Sequence, residues 1–301
     1  MGAMEQDMKL TFLGTAAANA FPEAFCKCGN CQTARELGGK SLRKRSSALI
    51  NDDLLLDLGP DIMASSQMHN ISLTNVQFCL QTHPHADHLD LSHLLSRSPG
   101  FGVIGAPRLN FYASPQTLAR ADQTFRRDLC GFGLFDKQAG QELNLAIHAI
   151  ESLTPMKVGE YRVVAIPANH ARNFGASLYA IEKDGCSTFY GTDTAEFLDE
   201  TWQAFRDHEL CFDLAILDHT YGPDEPGSDH LSARQVAEHT RRMREEGILK
   251  EDGRVFATHI AHEGNPSHEE LSAFAKQNGY EIAYDGLLLS IPKEKSKARC
   301  A

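Results

Sequence analysis

The apolar residues of the chain fall into short runs separated by Gly, Pro, Asn and Asp. Short runs that are bounded by turn residues and rich in β-branched and aromatic side chains predict strands. The predicted strands are Lys9–Leu13, Ser47–Ile50, Asp53–Leu58, Val76–Thr82, Leu109–Ala113, Tyr161–Pro167, Ala176–Glu182, Ser187–Gly191, Asp213–Leu217, Val255–Thr258, Glu281–Tyr284 and Leu287–Ile291.

Helix-start signals lie between the later strands. Ser114 precedes a proline suited to the first helical position, Ser232 is followed three residues on by Gln235, and Ser267 is followed at the same spacing by Glu270. Strands early in the chain and interleaved helices later predict a layered α/β fold with two internal sheets.

The chain shows no Pro/Gly/Ser-rich linker and no internal repeat, so residues 1–301 are predicted to form a single domain. Residues 1–7 are interpreted as a tag or a flexible start, and residues 293–301 as a charged, flexible tail.

Charge and hydropathy narrow the class of protein. The 301 residues include 29 Lys and Arg against 40 Asp and Glu, a formal charge of −11, which argues against a nucleic-acid-binding protein. No run approaches the roughly 20 apolar residues of a membrane span, and the N-terminus lacks a secretory signal pattern. We therefore expect a cytoplasmic protein without a membrane partner.

A cluster of ligand-type side chains follows the predicted strand Val76–Thr82. His83, His85, Asp87 and His88 form an HxHxDH pattern, and imidazole and carboxylate suit Zn²⁺, Mn²⁺ or Fe²⁺. The alternative interpretation is a solvated turn with hydrogen-bonded histidines. Three further candidates follow later strands and are expected at the same sheet edge, namely His170, Asp193 and His259.

These side chains are sufficient for two divalent cations that share one carboxylate. We expect one cation on His83, His85 and His170, the other on Asp87, His88 and His259, and Asp193 across both. This assignment leaves coordination positions for a bridging hydroxide and a substrate oxygen. Taken singly, His170 and His259 are equally compatible with ordinary surface or core histidines.

The cysteine spacing predicts another metal site. Cys26, Cys28 and Cys31 place three thiols within six residues, too close for a relaxed disulfide network and suited to tetrahedral Zn²⁺. His262, three residues after His259, is the candidate fourth ligand of this structural zinc. The alternative is a surface loop of free thiols.

The series HxHxDH, His, Asp, His resembles the metallo-β-lactamase superfamily of dinuclear hydrolases over nearly the whole chain. The resemblance implies a four-layer αββα sandwich with the metals at one edge of the paired sheets. Electron-transfer relatives use a glutamate-containing motif, so His85 favours a hydrolase.

The CxCxxC loop together with His259 and His262 resembles the phosphoribosyl cyclic phosphodiesterase (PhnP-like) branch of the superfamily. This resemblance implies a phosphodiesterase (3.1.4.-) that acts on a small cyclic or nucleotide-like ester by attack of a metal-bridging hydroxide. It implies His230 as the general acid, beside the catalytic ligand Asp87. Residues 99–145 are additional relative to this branch and are interpreted as an insertion near the active site.

Other interpretations remain open. The accessory protein of pyrroloquinoline quinone biosynthesis, PqqB, is similar in its cysteine loop, so a non-hydrolytic metal-bearing carrier is one alternative. A tRNA-processing endonuclease of the same superfamily is another, although the acidic charge of the chain argues against a nucleic-acid partner. The expected partner is a small phosphate ester, and a homodimer is compatible with the sequence.

Residues next to these motifs have open roles. Asp218 and His219 follow a predicted strand and could orient metal ligands or serve only the strand end. Arg43, Lys44 and Arg45 could attract phosphate or form a solvated basic loop.

Overall fold

Two seven-stranded sheets form the centre of the computed structural model, which describes residues 7–293. The predicted flexible start and tail lie outside the described residues, apart from residues 7 and 293. The strands are β1 (Met8–Gly14), β2 (Ser47–Ile50), β3 (Leu54–Leu56), β4 (Phe78–Leu80), β5 (Leu109–Ala113), β6 (Leu145–Ala149), β7 (Met156–Val158), β8 (Tyr161–Pro167), β9 (Ser177–Lys183), β10 (Cys186–Gly191), β11 (Phe212–Asp218), β12 (Leu249–Thr258), β13 (Glu281–Ile282) and β14 (Leu288–Ile291).

The helices lie between these strands in the chain. They are α1 (Gly29–Leu37), α2 (Ile62–His69), α3 (Ser92–Ser96), α4 (Pro115–Phe125), α5 (Lys137–Glu142), α6 (Asp199–Asp207), α7 (Ala233–Glu245) and α8 (His268–Gln277). The predicted helix starts at Ser114, Ser232 and Ser267 are confirmed, and the last two form capping boxes with Gln235 and Glu270. Among the described residues, no helix is long and apolar enough to cross a bilayer.

The first sheet has the order β14-β1-β2-β3-β4-β5-β6 and the second β13-β12-β11-β10-β9-β8-β7. Alternate residues of one strand point to opposite faces, and β8 shows the result. Val163 and Ala165 pack into the core between the sheets, whereas Val164 and Ile166 pack into the core on the outer face of the second sheet. Because both faces of the sheet are buried, the strand appears in the sequence as a continuous apolar run.

Helices cover the outer face of each sheet. The core outside the first sheet includes Ile62 of α2, Leu94 of α3, Leu118 of α4 and Ala139 of α5. The core outside the second includes Ala34 of α1, Trp202 of α6, Val236 of α7 and Leu271 of α8. The four-layer αββα sandwich is therefore confirmed.

The sequence pattern does not predict two of the strands. β6 and β7 are the edge strands of their sheets, and most of their residues are half-exposed or exposed, so their sequences lack a strong apolar pattern. Residues 99–145 contain β5, α4 and α5 and end at the first residue of β6. Their interpretation as an insertion stays a prediction.

The carboxyl ends of several strands meet at one edge of the sandwich. In the first sheet β3 and β4 are parallel, and in the second β10, β11 and β12 are parallel. β8 runs in the same direction as β10 because each is antiparallel to β9. The loops that follow these strands carry the candidate site.

Candidate metal centres

The structure brings the predicted ligands of the sheet edge together in overlapping groups, one of which also includes Asp218 and His230. Within each group, one ligand atom per residue lies within 4.8 Å of the others. The groups are His83, His85, His170 and Asp193; Asp87, His88, Asp193 and His259; and Asp193, Asp218, His230 and His259. The first two groups coincide with the ligand sets expected from the sequence.

Asp193 occupies the centre of this arrangement. Its Oδ2 lies 3.0 Å from His83 Nε2 and 2.9 Å from His88 Nε2. Its Oδ1 lies 3.7 Å from His170 Nε2 and 3.6 Å from His259 Nε2. The carboxylate thus faces both histidine sets, which is the geometry required of a shared ligand.

The facing nitrogens of each set are suited to a cation. His85 Nδ1 lies 2.9 Å from His83 Nε2 and 3.3 Å from His170 Nε2, and His88 Nε2 lies 3.4 Å from His259 Nε2. Among the described residues, none donates a well-aligned hydrogen bond to the buried Asp193 Oδ1, although His230 Nδ1 lies 3.1 Å from it. A buried acceptor without a donor is costly, and a coordinated cation removes that cost. The donor set therefore fits two divalent cations.

Asp57 orients two of these histidines through their Nδ1 atoms, one directly and the other through Thr82. This carboxylate is fully buried, and its Oδ2 lies 2.7 Å from His88 Nδ1. Its Oδ1 accepts a 2.8 Å hydrogen bond from the Thr82 hydroxyl, whose oxygen lies 3.0 Å from His83 Nδ1. Each imidazole can then donate through Nδ1 and present the Nε2 lone pair to a cation.

Asp218, in the second sheet, has the same orienting role. Its Oδ1 accepts a 3.0 Å hydrogen bond from the Thr220 hydroxyl, and Thr220 Oγ1 lies 2.8 Å from His259 Nδ1. Its Oδ2 lies 2.9 Å from His230 Nδ1. Each sheet therefore supplies one buried carboxylate that contacts one histidine directly and another through a threonine.

The position of Asp218 after a predicted strand indicated this orienting role, whereas the role of Asp57 was not predicted. The signal for Asp57 was present, because it is a single carboxylate in the apolar stretch Leu54–Leu58. A charge in such a run is rarely buried without a bound partner. His219 takes no part in the site, since its Nε2 lies 3.1 Å from the Tyr280 hydroxyl.

Backbone strain marks the same loops. Asp57, Asp193 and His259 have φ values of 63°, 60° and 62°. The left-handed region is uncommon for residues with a Cβ, and such residues concentrate at functional sites. The three residues follow β3, β10 and β12, so the uncommon backbone conformation coincides with the strand ends that carry the site.

His230 lies at the wall of a cavity of about 190 Å³ that also includes His85, Asp87, His170, Asp193 and His259. Its Nδ1 is 2.9 Å from Asp218 Oδ2 and 3.1 Å from Asp193 Oδ1. Burial alone would lower the pKa of His230, but Asp218, and then Asp193 and Asp229, raise it to about 9. The neighbouring carboxylates therefore favour the protonated imidazole at the edge of the cavity.

The cysteine loop forms a separate cluster. The Sγ atoms of Cys26 and Cys28 lie 3.6 and 3.5 Å from His262 Nδ1, and Cys31 completes a group whose ligand atoms are within 4.8 Å of one another. These separations suit tetrahedral Zn²⁺. Burial would raise the pKa of Cys28, but hydrogen bonds from the Cys31 backbone and from His262 lower it to about 6.

The side chains of the basic triplet make contacts within the protein. Arg43 is buried, and its guanidinium donates to Thr15 Oγ1 at 2.8 Å and lies 2.9 Å from His268 Nδ1. Arg45 donates to Asp61, and Lys44 Nζ lies 3.5 Å from Asp285. Arg43 and Lys44 link the segment before β2 to the C-terminal part of the chain, so the interpretation of the triplet as a solvated loop is wrong for the buried Arg43. Attraction of phosphate by the triplet stays a prediction.

Comparisons with known proteins agree with this geometry. Residues 53–260 match the family described as the β-lactamase superfamily domain. No curated protein matches the chain.

Three solved structures illustrate the fold. A diphosphatase of the PhnP family is 21% identical, with a TM-score of 0.70 over 95% of this chain and 98% of that one. The metallo-β-lactamase fold protein YhfI from Bacillus subtilis is 18% identical, with a TM-score of 0.66 over 94% and 99%. Zn²⁺-bound PqqB from Methylobacterium extorquens is 18% identical, with a TM-score of 0.66 over 93% and 99%. At these identities the likeness establishes the fold.

Proposed function

The chain belongs to the β-lactamase superfamily, and from this membership we propose that it is a dinuclear metal-dependent phosphodiesterase acting on a small cyclic or nucleotide-like phosphate ester. The observation that carries the proposal is the position of Asp193, whose carboxylate lies close to histidines of both ligand sets. Similarity to a diphosphatase of the PhnP family supports a phosphate substrate.

The residues that would hold the cations are those expected from the sequence. His83, His85 and His170 would hold one, Asp87, His88 and His259 the other, and Asp193 both. When bound, such a pair lowers the pKa of a coordinated water and neutralises charge on the phosphoryl oxygens. The metal would be Zn²⁺ or Mn²⁺, or alternatively Fe²⁺.

The protein itself supplies orientation and a proton. Asp57 and Asp218 hold the imidazoles, directly or through a threonine, so that little reorganisation is needed during the reaction. His230 would protonate the departing alkoxide as general acid, because its Nδ1 is held by Asp218 while its ring borders the cavity. Asp87 would act as the cation ligand on which activity depends.

The cysteine cluster would hold a structural zinc. Cys26, Cys28 and Cys31 belong to the N-terminal segment, whereas His262 follows His259 by three residues. A zinc on these four ligands would therefore fix the loop that carries a ligand of the catalytic pair.

Hydrolysis of bis(p-nitrophenyl) phosphate by protein supplied with Mn²⁺ or Zn²⁺ tests the proposal. We expect turnover that Asp87→Ala abolishes. Asp252→Ala is the matched control, because Asp252 is an exposed carboxylate near the start of β12 and should leave turnover unchanged. Absence of turnover with every metal would contradict the proposal and favour a metal-bearing carrier.

A further inference from the structure

A second cavity adjoins the candidate metal centre, and its walls indicate the chemistry of the substrate. It has a volume of about 590 Å³ and lies between the HxHxDH loop, α4 and the loop that contains Phe174. We infer that this cavity binds an uncharged, ring-bearing ester group of the substrate, a nucleoside or an aryl group. The inference rests on the proposed function and specifies its substrate class.

The position of the cavity relative to the metal ligands carries the first step. His85 borders both this cavity and the smaller cavity that includes Asp87, His170 and Asp193. A phosphoryl group beside those ligands would therefore have one of its ester groups directed past His85. The volume lies within the usual range of about 300–1,000 Å³ for small-molecule sites.

The apolar and aromatic side chains in the walls of this cavity favour a ring-bearing group. Pro84, Leu89, Leu129 and Phe174 supply apolar surface. The Phe174 ring meets the His85 imidazole edge-on, with ring centroids 6.0 Å apart and an interplanar angle of 83°. Aromatic side chains stabilise a bound ring through area burial and through stacked or edge-on contacts.

The charges of the walls argue against a second phosphate. Arg127 donates two hydrogen bonds of 2.6 Å to the carboxylate of its neighbour Asp128, so its charge is already paired. Arg120 is the other cation of the wall, and Asp90 is a second carboxylate there, so the formal charges cancel. A dianionic group would meet no net positive potential from these side chains, whereas an uncharged ring does not require one.

The cavity is also held in shape by contacts between its walls. The Phe174 carbonyl accepts hydrogen bonds from the Thr117 hydroxyl at 2.9 Å and the Ser114 hydroxyl at 3.3 Å. A Cβ on Gly175, where φ is +65°, would approach Ser114 Oγ to 2.6 Å. The glycine therefore permits the close approach of the Phe174 loop to the start of α4, which limits the ordering cost of ligand binding.

Isothermal titration of the metal-loaded protein with phenylphosphonate and methylphosphonate tests the inference without any turnover. We expect phenylphosphonate to bind about tenfold more tightly, as burial of part of an aromatic ring provides. Thr124→Trp places an indole in the cavity and should remove the preference. Ala119→Trp, on an exposed position of α4 outside the cavity, should retain it.

A second variant guards against misfolding of the first. Phe174→Ala removes the aromatic wall without introducing a bulky side chain, and it should reduce the preference for phenylphosphonate over methylphosphonate severalfold. Equal affinities for the two phosphonates in the wild-type protein, or a preference that survives both Thr124→Trp and Phe174→Ala, would overturn the inference.

Kinetics separate this inference from the proposed function. Methyl p-nitrophenyl phosphate and phenyl p-nitrophenyl phosphate share a leaving group. When kcat/KM of each ester is divided by its uncatalysed rate, the phenyl ester should have a value about tenfold higher, mainly because its KM is lower. Equal values would refute ring binding and leave the phosphodiesterase proposal standing. No hydrolysis of either ester, with the phenylphosphonate preference intact, would refute the phosphodiesterase and retain the ring-binding cavity.

Discussion

Asp57→Asn changes one atom of a carboxylate that lies behind the candidate metal centre. The amide oxygen can still accept from Thr82, as Asp57 Oδ1 does at 2.8 Å from the backbone nitrogen and at 2.8 Å from the hydroxyl. The amide nitrogen then replaces Oδ2, which lies 2.7 Å from His88 Nδ1. Because an amide NH₂ only donates, His88 must become an acceptor at Nδ1 and carry its proton on Nε2.

That change of tautomer removes a ligand from one cation and leaves the other set intact. His88 Nε2 is the atom that faces Asp193 at 2.9 Å and Asp87 at 3.3 Å. Loss of such an orienting partner costs about 10- to 100-fold in metal affinity, which is about 1.4–2.7 kcal/mol. The His83 set should keep its affinity, because its link through Thr82 survives. In metal-free protein, loss of the charged hydrogen bond should lower the free energy of unfolding by about 1.5–3 kcal/mol.

Competition with a chromophoric chelator gives the affinity of each site, and denaturant unfolding in EDTA gives the stability of the metal-free protein. Asp53→Asn is the matched control, because Asp53 accepts a hydrogen bond from the Tyr161 hydroxyl and has no contact with the metal ligands among the described residues. Wild-type affinity at both sites in Asp57→Asn would refute the orienting role. Equal weakening of both sites would refute the argument from tautomers.

Three further predictions concern other parts of the molecule. His230→Ala should slow diesters with poor leaving groups by about a hundredfold or more and activated aryl esters much less; equal slowing in steady-state assays would exclude the acid role. Cys31→Ser should lower the zinc content measured by elemental analysis by about one ion per chain, whereas Cys130→Ser, outside the cluster, should leave it unchanged. Burial, and then the charges of Arg43 and Lys40, lower the pKa of His268 from 6.5 to about 4. Between these two pKa values the unfolded chain binds more protons than the folded one, so the free energy of unfolding falls as the pH drops from 6.5 to about 4. In denaturant titrations over this range, His268→Gln should reduce the slope of the free energy of unfolding against pH by up to about 1.4 kcal/mol per pH unit.

Local sequence pattern was sufficient for much of the fold. The bounds of β2, β5 and β8 agree with the predicted ones, because buried strands of this sandwich need apolar residues on both faces. The HxHxDH and CxCxxC spacings predicted metal ligands equally directly, because the residues of each motif are close in sequence. β6 and β7 were missed because the edge of a sheet places weaker demands on the side chains of a strand.

The sequence by itself determined which residue types are available for the chemistry and at which strand ends they occur. Only the tertiary structure decided that Asp57 and Asp218 stand behind the histidines, that Arg43 is buried rather than exposed to phosphate, and that Phe174 faces His85. The physical reason is the range of the interactions involved. Periodicity and turn chemistry act over a few residues and leave a local pattern. The hydrogen bonds and cavities of the site join segments far apart in the chain, and the packing of two sheets sets their distances.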